Sequence, residues 1–370
     1  MKKLLIFFII LMLILTIFNT GCTEKKPDKP TFSNGEIYYA NITIDDLEID
    51  INNLPEMGSS TSAHPLATLI GCKILNISYI WTNDIRYPIQ YGKGIILPNI
   101  SYLNTYQYPY FGYYNTENYI VPNATDPNVS YISENITKKI DRSGTHGSYV
   151  GLIEGNYSLI IAARLPSEDE LELANNYSVE LVAKPLALDA FVFILNRDNP
   201  LDNLTVDEIK NIYTGNFTDW INISNISQFQ NNYSVINAYT RNDNSGSQEL
   251  MKTLVMKNLD MINEQNMVFY MMSGPYNQLA WDPYGIAYSV YFYKKFMANS
   301  YVNVKLCGVN GLYPCYDSIY NQTYPYTTKV YVVINKNLDV NNPAYKIRDW
   351  LLTNEGQSVI KESGYVPISG

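Results

Sequence analysis

The stretch that decides the fold is DAFVFILNRDNPLDNLTVDEIKNIYTG, residues 189–215. After Asp189 the chain is apolar without a break to Leu195, the pattern of a strand buried on both faces. Thr205-Val-Asp-Glu208 is a capping box, in which Thr and Glu satisfy each other's backbone N–H groups at a helix start. Ile209 and Ile212 then give the helix an apolar face, and Gly215 is a C-terminal stop. A buried strand running through a polar loop into a capped helix is one β-α unit.

The same alternation extends in both directions. Upstream, residues 36–44 (EIYYANITI) are β-rich, and Gly58-SSTSAHP65 leads into a helix with a stripe at Leu66, Leu69, Ile70 and Ile74. Pro65 suits its first turn, where a missing N–H is harmless. Ser143-GTHGS148 precedes a short helix, Tyr149 to Glu154, and a strand, 158–163; Ser167-Glu-Asp-Glu170 is a second capping box. Downstream, a strand over 235–240 ends at Arg241-NDNSGSQ248, before a helix through Leu250, Met251, Leu254 and Val255. A strand at 329–334 and a helix opened by Pro343, burying Ile347, Trp350 and Leu351, come next, and a last helical turn ends at Gly364. Strands alternating with helices make the class α/β. Residues 82–137, rich in Tyr, Asn, Pro and Gly, break the pattern as an insertion of short strands and loops, or a lid over a cleft.

The chain has 370 residues, 26 Lys+Arg against 35 Asp+Glu, a net charge of −9, two histidines and four cysteines. With no basic run it is not a nucleic-acid binder, since phosphate backbones need clustered cations. The isolated His64 and His146 and the scattered cysteines give no metal-ligand spacing, so neither metal nor cofactor is expected. Lys2 and Lys3, the apolar run Leu4 to Phe18, and Thr20-Gly21-Cys22 read as a secretory signal over residues 1–21. Cys22 fits a lipobox cysteine, with an uncleaved anchor as the alternative; either holds the protein at the outer face of a membrane, on a polar tether over 22–35. Fourteen N-x-S/T sequons agree with export, although an Asn- and Ser-rich chain makes them by chance. Cys307 and Cys315 could close a small disulfide loop, and Cys72 reads as a buried thiol.

Three Ser/Thr/Gly loops, 58–65, 143–148 and 241–248, each stand before a helix. The first N–H groups of a helix lack partners and carry partial positive charge, so small residues and hydroxyls there suit an oxyanion. In the third loop Arg241 adds a guanidinium, Ser245-Gly-Ser-Gln248 reads as a capping box, and Asp243 could hold the Arg241 fork in place.

GSSTSAHPL (58–66), residues 184–220, RNDNSGSQELMKTLVM (241–256), DPYGIAYSVYFY (282–293) and EGQSVIKESGYVPI (355–368) together resemble one family. It is the phosphate-binding lipoprotein of phosphate ABC transporters, in a divergent archaeal or Gram-positive style. The similarity covers most of 55–82 and 143–370 and leaves 82–137 unaccounted for. It implies a two-lobed periplasmic-binding-protein fold of type II with the ligand in the cleft. Lobe 1 would span 36–195, lobe 2 196–304, and residues 305–370 would return to lobe 1. Hinge strands would include 189–195 and the segment around 300–310. The partners implied are inorganic phosphate or a related oxyanion and the permease subunits of an ABC importer, with the receptor a monomer. Carried over, the first-loop contacts fall on Thr61, Ser62, Ala63 and His64, and the second on Thr145, with Ser148 as alternative. In the third, Arg241, Ser245, Gly246 and Ser247 match Arg-x-x-x-Ser-Gly-Thr, with Ser for Thr. The family's anion-facing Asp is replaced by Arg164, which either favours a fully charged anion or points to solvent. His64 and His146 fall in these loops either by coincidence, with backbone-only roles, or as imidazoles that, when protonated, would strengthen anion binding at lower pH.

Alternatives are a sulfate, molybdate or tungstate receptor, a surface glycoprotein, and a serine hydrolase. Against the last, no G-x-S-x-G elbow occurs.

Overall fold

The computed structural model describes residues 37–38, 47–82, 119–122, 135–136, 138–223, 234–262 and 267–368. The expected signal peptide, tether, Cys22 and most of the 82–137 insertion lie outside them.

The first part of the chain builds β1 (Ile37–Tyr38), β2 (Met57–Ser59), α1 (His64–Ile74), β3 (Tyr79–Thr82), β4 (Tyr119–Pro122), β5 (Ile140–Asp141), α2 (Gly144–Ile153), β6 (Leu159–Ala162) and α3 (Glu168–Asn176). Then come β7 (Leu181–Asn196), β8 (Asn203–Leu204), α4 (Val206–Tyr213), β9 (Asn237–Ala238), β10 (Thr240–Arg241), α5 (Gly246–Leu250), β11 (Val268–Phe269), α6 (Gly274–Leu279) and β12 (Gly285–Val290). The chain closes with β13 (Val304–Val309), α7 (Tyr316–Tyr320), β14 (Thr327–Asn335), α8 (Pro343–Leu351), α9 (Asn354–Glu362) and β15 (Val366–Pro367).

β7 organises the molecule. Its first ten residues, Leu181–Ala190, pair antiparallel with β14, and β15 joins at Ala187 and Leu188. Its last residues pair with β12 on one edge and β13 on the other. One half of the fold is therefore the sheet β5-β2-β6-β14-β7, and the other is β9-β12-β7-β13-β8. The second half of β7 is flanked on both edges and covered on both faces, whereas Leu181–Pro185 are partly exposed. Phe191, Val192, Phe193, Ile194 and Leu195 are accordingly all 0% exposed, each contributing roughly 1.5–3 kcal/mol by burial. The expected strand at 189–195 is thus only the second half of a 16-residue element. Its polar start was concealed by Lys184-Pro185. Val330 faces Ala187 while Tyr331 faces Pro185, which leaves Leu186 as an extra residue. Such a bulge is where a strand tolerates a proline, whose missing N–H breaks the ladder.

Helix α1 carries the expected stripe, but Pro65 through Ile74 are all buried, because neighbouring elements enclose the helix rather than cover one face. Even Lys73 is inside, 2.9 Å from Glu362. Helix α2 starts at Gly144, not Tyr149, so most of the second loop is its first turn. The strand expected at 235–240 splits into β9 and β10. Helix α5 continues as a π-helix over Met251–Met256. Gly215 ends α4 at φ +79, a conformation that favours glycine. Cys72 is a buried free thiol, and so is Cys307, so the expected Cys307–Cys315 pair does not form.

Candidate functional site

The three loops meet where β2, β6 and β10 end. Ser60 Oγ lies 2.8 Å from Thr145 Oγ1 and accepts the Ala163 N–H at 2.9 Å. Sequence reasoning passed over Ser60, although it belongs to the same Ser/Thr run. A Cβ on Gly246 would fall 2.4 Å from Thr145 Oγ1, so only glycine lets the third loop come this close to the second. From the end of β6, Arg164 Nη2 reaches the Asn244 carbonyl at 3.4 Å. Ser60, Thr145, Arg164, Asn244 and Gly246 therefore share one locus.

Around it, two helix N-termini stand uncapped. Neither Ala63 of α1 nor Ser143 of α2 makes a side-chain cap, and neither first turn contains an acid. Thr61, Ser62, Ala63 and His64 form the entry to α1, with Ser62 and Ala63 buried. Ser148 is turned inward: it donates to Gly144 O at 2.6 Å and lies 2.9 Å from Ser143 Oγ. Its hydroxyl serves the α2 turn, and Thr145 is the side chain that faces the other loops.

Arg241 is buried, and its head group is held by backbone: Nε donates to Phe269 O at 2.9 Å and Nη2 to Tyr270 O at 3.0 Å. Nη1 donates to Ser247 Oγ at 3.2 Å, which ties the guanidinium to the start of α5. Burial pulls its pKa down, against the pull of the Tyr288, Tyr293 and Tyr276 hydroxyls. Among the described residues no carboxylate pairs with it. Asp243, expected to hold the fork, is exposed and pairs with Lys252 at 3.0 Å instead. The Ser245 box is also only half made. Ser245 Oγ accepts the Gln248 N–H at 3.2 Å, but Gln248 Oε1 takes the Arg241 N–H at 3.2 Å and the Tyr288 hydroxyl. The packing of β10 against β12 claims the side chain that a local box would have used.

The two loop histidines sit in different surroundings. Burial, then the Arg142 charge, pushes the His64 imidazole down to about 3, so it is neutral from pH 5 to 8; its Nδ1 lies 3.0 Å from Ser59 Oγ. His146 Nδ1 is 3.0 Å from Glu170 Oε1, turned toward a carboxylate. Beside Arg241 a cavity of about 1080 Å³ opens between Asn242, Lys252, Lys257 and Tyr270, far more than a tetrahedral anion fills.

Hydroxyls, unpaired helix donors and a buried cation without a counterion can hold a small anion in hydrogen bonds. The chain is similar to several known proteins. Phosphate-binding protein PstS of Borreliella burgdorferi is 22% identical over 243 residues, covering 64% of this chain and 82% of that protein. Phosphate-binding protein PstS of Pseudomonas aeruginosa is 24% identical over 248 residues, covering 63% and 75%. A Clostridium perfringens putative phosphate ABC transporter substrate-binding protein, solved with bound phosphate, aligns at 21% identity and TM-score 0.49, over 62% of this chain and 87% of that one. The family model for the PBP superfamily domain matches residues 121–351, which takes in β7, the second and third loops and both halves of the sheet: the chain belongs to the PBP superfamily, with its two-lobed α/β fold.

Proposed function

We propose that this protein is an extracytoplasmic receptor that captures inorganic phosphate, or a closely related tetrahedral oxyanion, and delivers it to an ABC importer. The observation that carries the reading is the meeting of the uncapped α1 and α2 loops with the start of α5, to which a buried Arg241 without a carboxylate partner is tied. Most Arg241 N–H groups are given to Phe269, Tyr270, Ser247 and Met272, so Arg241 supplies chiefly its positive charge, and a charge-assisted hydrogen bond to an anion from an N–H left over contributes about 1.5–3 kcal/mol. The names of the relatives support phosphate as that anion.

The two lobes would be 36–195 with 305–370, and 196–304. β7, which belongs to both halves of the sheet, and the segment around 300–310 would act as the hinge. Only the closed form completes the donor shell, so the ligand shifts the population toward it, and the closed receptor docks on the permease as a monomer. Residues 1–35 would tether it outside the membrane, through a lipid on Cys22 or an uncleaved anchor. The receptor would carry no catalytic activity of its own.

Isothermal titration of the purified chain with inorganic phosphate tests this. A saturable one-to-one heat is expected. No heat with phosphate or sulfate would remove the reading, and turnover of a chromogenic phosphate ester would favour a hydrolase.

A further inference from the structure

We infer that Arg164 is a second anion donor of this site, and that it suits the site to oxyanions that carry two full charges and need no proton acceptor. This rests on the oxyanion reading above and adds to it.

The inference starts from the five N–H donors of the guanidinium. Arg164 Nη1 and Nη2 grip the two Glu170 oxygens end-on, at 2.7 and 2.8 Å. The outer Nη1 proton goes to Leu165 O at 2.9 Å. That leaves one edge, Nε–H with the second Nη2–H. Nη2 is 3.4 Å from the Asn244 carbonyl, a long contact, and Nε is buried with no hydrogen-bond partner. A parallel pair of N–H groups on one guanidinium edge is the fork that receives two oxygens of one anion. Arg164 as a whole is only 5% exposed, so solvent does not readily serve it.

The fork is also rigid. Tyr149 donates its hydroxyl to Arg164 O at 2.7 Å, and its ring lies under the guanidinium at 5.7 Å. Glu170 is fully buried, and its two oxygens accept Arg164 twice, the Ser167 N–H and His146. That carboxylate is saturated and cannot accept a proton from a ligand. Asp169, the next acid, takes the Ser167 hydroxyl. At this point the anion meets the Arg164 fork, the Thr145 hydroxyl and the start of α5 at Gly246, the Ser245 N–H being already given to Asn242 O; the Asn244 carbonyl beside them is turned to Arg164 Nη2. A hydrogen phosphate must find an acceptor for its proton, whereas sulfate has none to place.

Titration calorimetry at pH 8, where both anions are mostly dianions, tests this on the full mature chain. Wild type is expected to bind sulfate within about tenfold of phosphate. Arg164→Gln is expected to weaken both anions by about tenfold to a hundredfold, the range of one charge-assisted fork, and Arg164→Lys, which has no fork, should not restore them. Because Arg164→Gln leaves Glu170 buried and unpaired, the double variant Arg164→Gln/Glu170→Gln is measured as well. A folded double variant with weakened binding supports the inference. Wild-type affinity in that variant, or rejection of sulfate by more than about a hundredfold in wild type, overturns it. If wild type binds neither anion, it is the oxyanion reading that fails.

Discussion

Helix α4 begins in the way isolated sequence rules prescribe, and α3 with half of its box, since the Ser167 hydroxyl goes to Asp169 rather than accepting a backbone N–H. Glu170 takes the Ser167 N–H at 2.9 Å, Glu208 takes the Thr205 N–H at 2.7 Å, and both first turns are acidic. Helices α1 and α2 begin without a side-chain cap and without an acid. All four lie in one α/β fold, so the difference does not come from architecture. A capped terminus has spent its donors on its own chain and contributes stability. An uncapped terminus forgoes that stability and keeps its donors and dipole for something else. The proposed anion site draws on the second kind. A third kind occurs at Phe292, in the helical turn after β12: its N–H is accepted at 3.0 Å by Asp189, a carboxylate of β7.

The comparison breaks most sharply at Arg241, the buried cation tied to the start of α5. Arg241→Ala should weaken phosphate binding by about tenfold to a hundredfold, the worth of one charge-assisted hydrogen bond, since its other N–H groups serve Phe269, Tyr270, Ser247 and Met272. Retained affinity in calorimetry would separate the uncapped termini from any ligand.

Asp189 tests the third kind through pH. Burial raises its carboxyl to about 7, against the two backbone N–H groups of Phe292 and Ala190 that favour the charge. Tyr291 and Tyr365 lie beside it and supply no positive charge. An ordinary Asp titrates near 3.8. Between the two values the folded chain holds a proton that the unfolded chain has lost, so stability falls as pH rises from about 4 to 7 and levels off above. The contribution is on the order of 3–4 kcal/mol. Asp189→Asn should flatten that slope in denaturant titrations at pH 4.5, 6 and 8 and be the more stable form at pH 8. An unchanged slope would contradict it.

Thr61→Asp places a carboxylate beside the α1 terminus. Anion affinity should fall by roughly threefold to tenfold at low salt, in keeping with charge–dipole energies and repulsion, and the loss should shrink as salt is added. Thr205→Ala, at a capped terminus, should do the reverse: stability falls by about 1 kcal/mol and calorimetry shows the same affinity as wild type. A binding defect there would blur the distinction between the two kinds of helix start.

Features that depend on near neighbours were legible in the chain. The capping boxes of α3 and α4, the proline start of α1, the stop at Gly215 and the burial of 190–195 all follow from contacts within a few residues or from simple periodicity. The three-loop site was legible as a set of helix starts, for the same reason. What the sequence did not reveal were partners set by packing. Gln248 looked like the second half of a cap, yet Tyr288 and the Arg241 backbone hold it. Asp243 looked like the partner of Arg241, yet the carbonyls of Phe269 and Tyr270 do that work, because β11 lies beside β10. Glu170 looked like a helix cap and is one, but it also neutralises Arg164 and leaves that arginine's second edge open.

By itself, then, the sequence determined the β-α alternation, the strand through 190–195 and which helices open with hydroxyls and glycine, since these are short-range or periodic properties of the chain. The tertiary structure alone decided that Ser60, Thr145, Arg164 and Gly246 share one locus and which guanidinium edges remain unpaired. A side chain's charge and donors are written in the sequence, but which of them are already satisfied depends on strands brought together from distant parts of the chain.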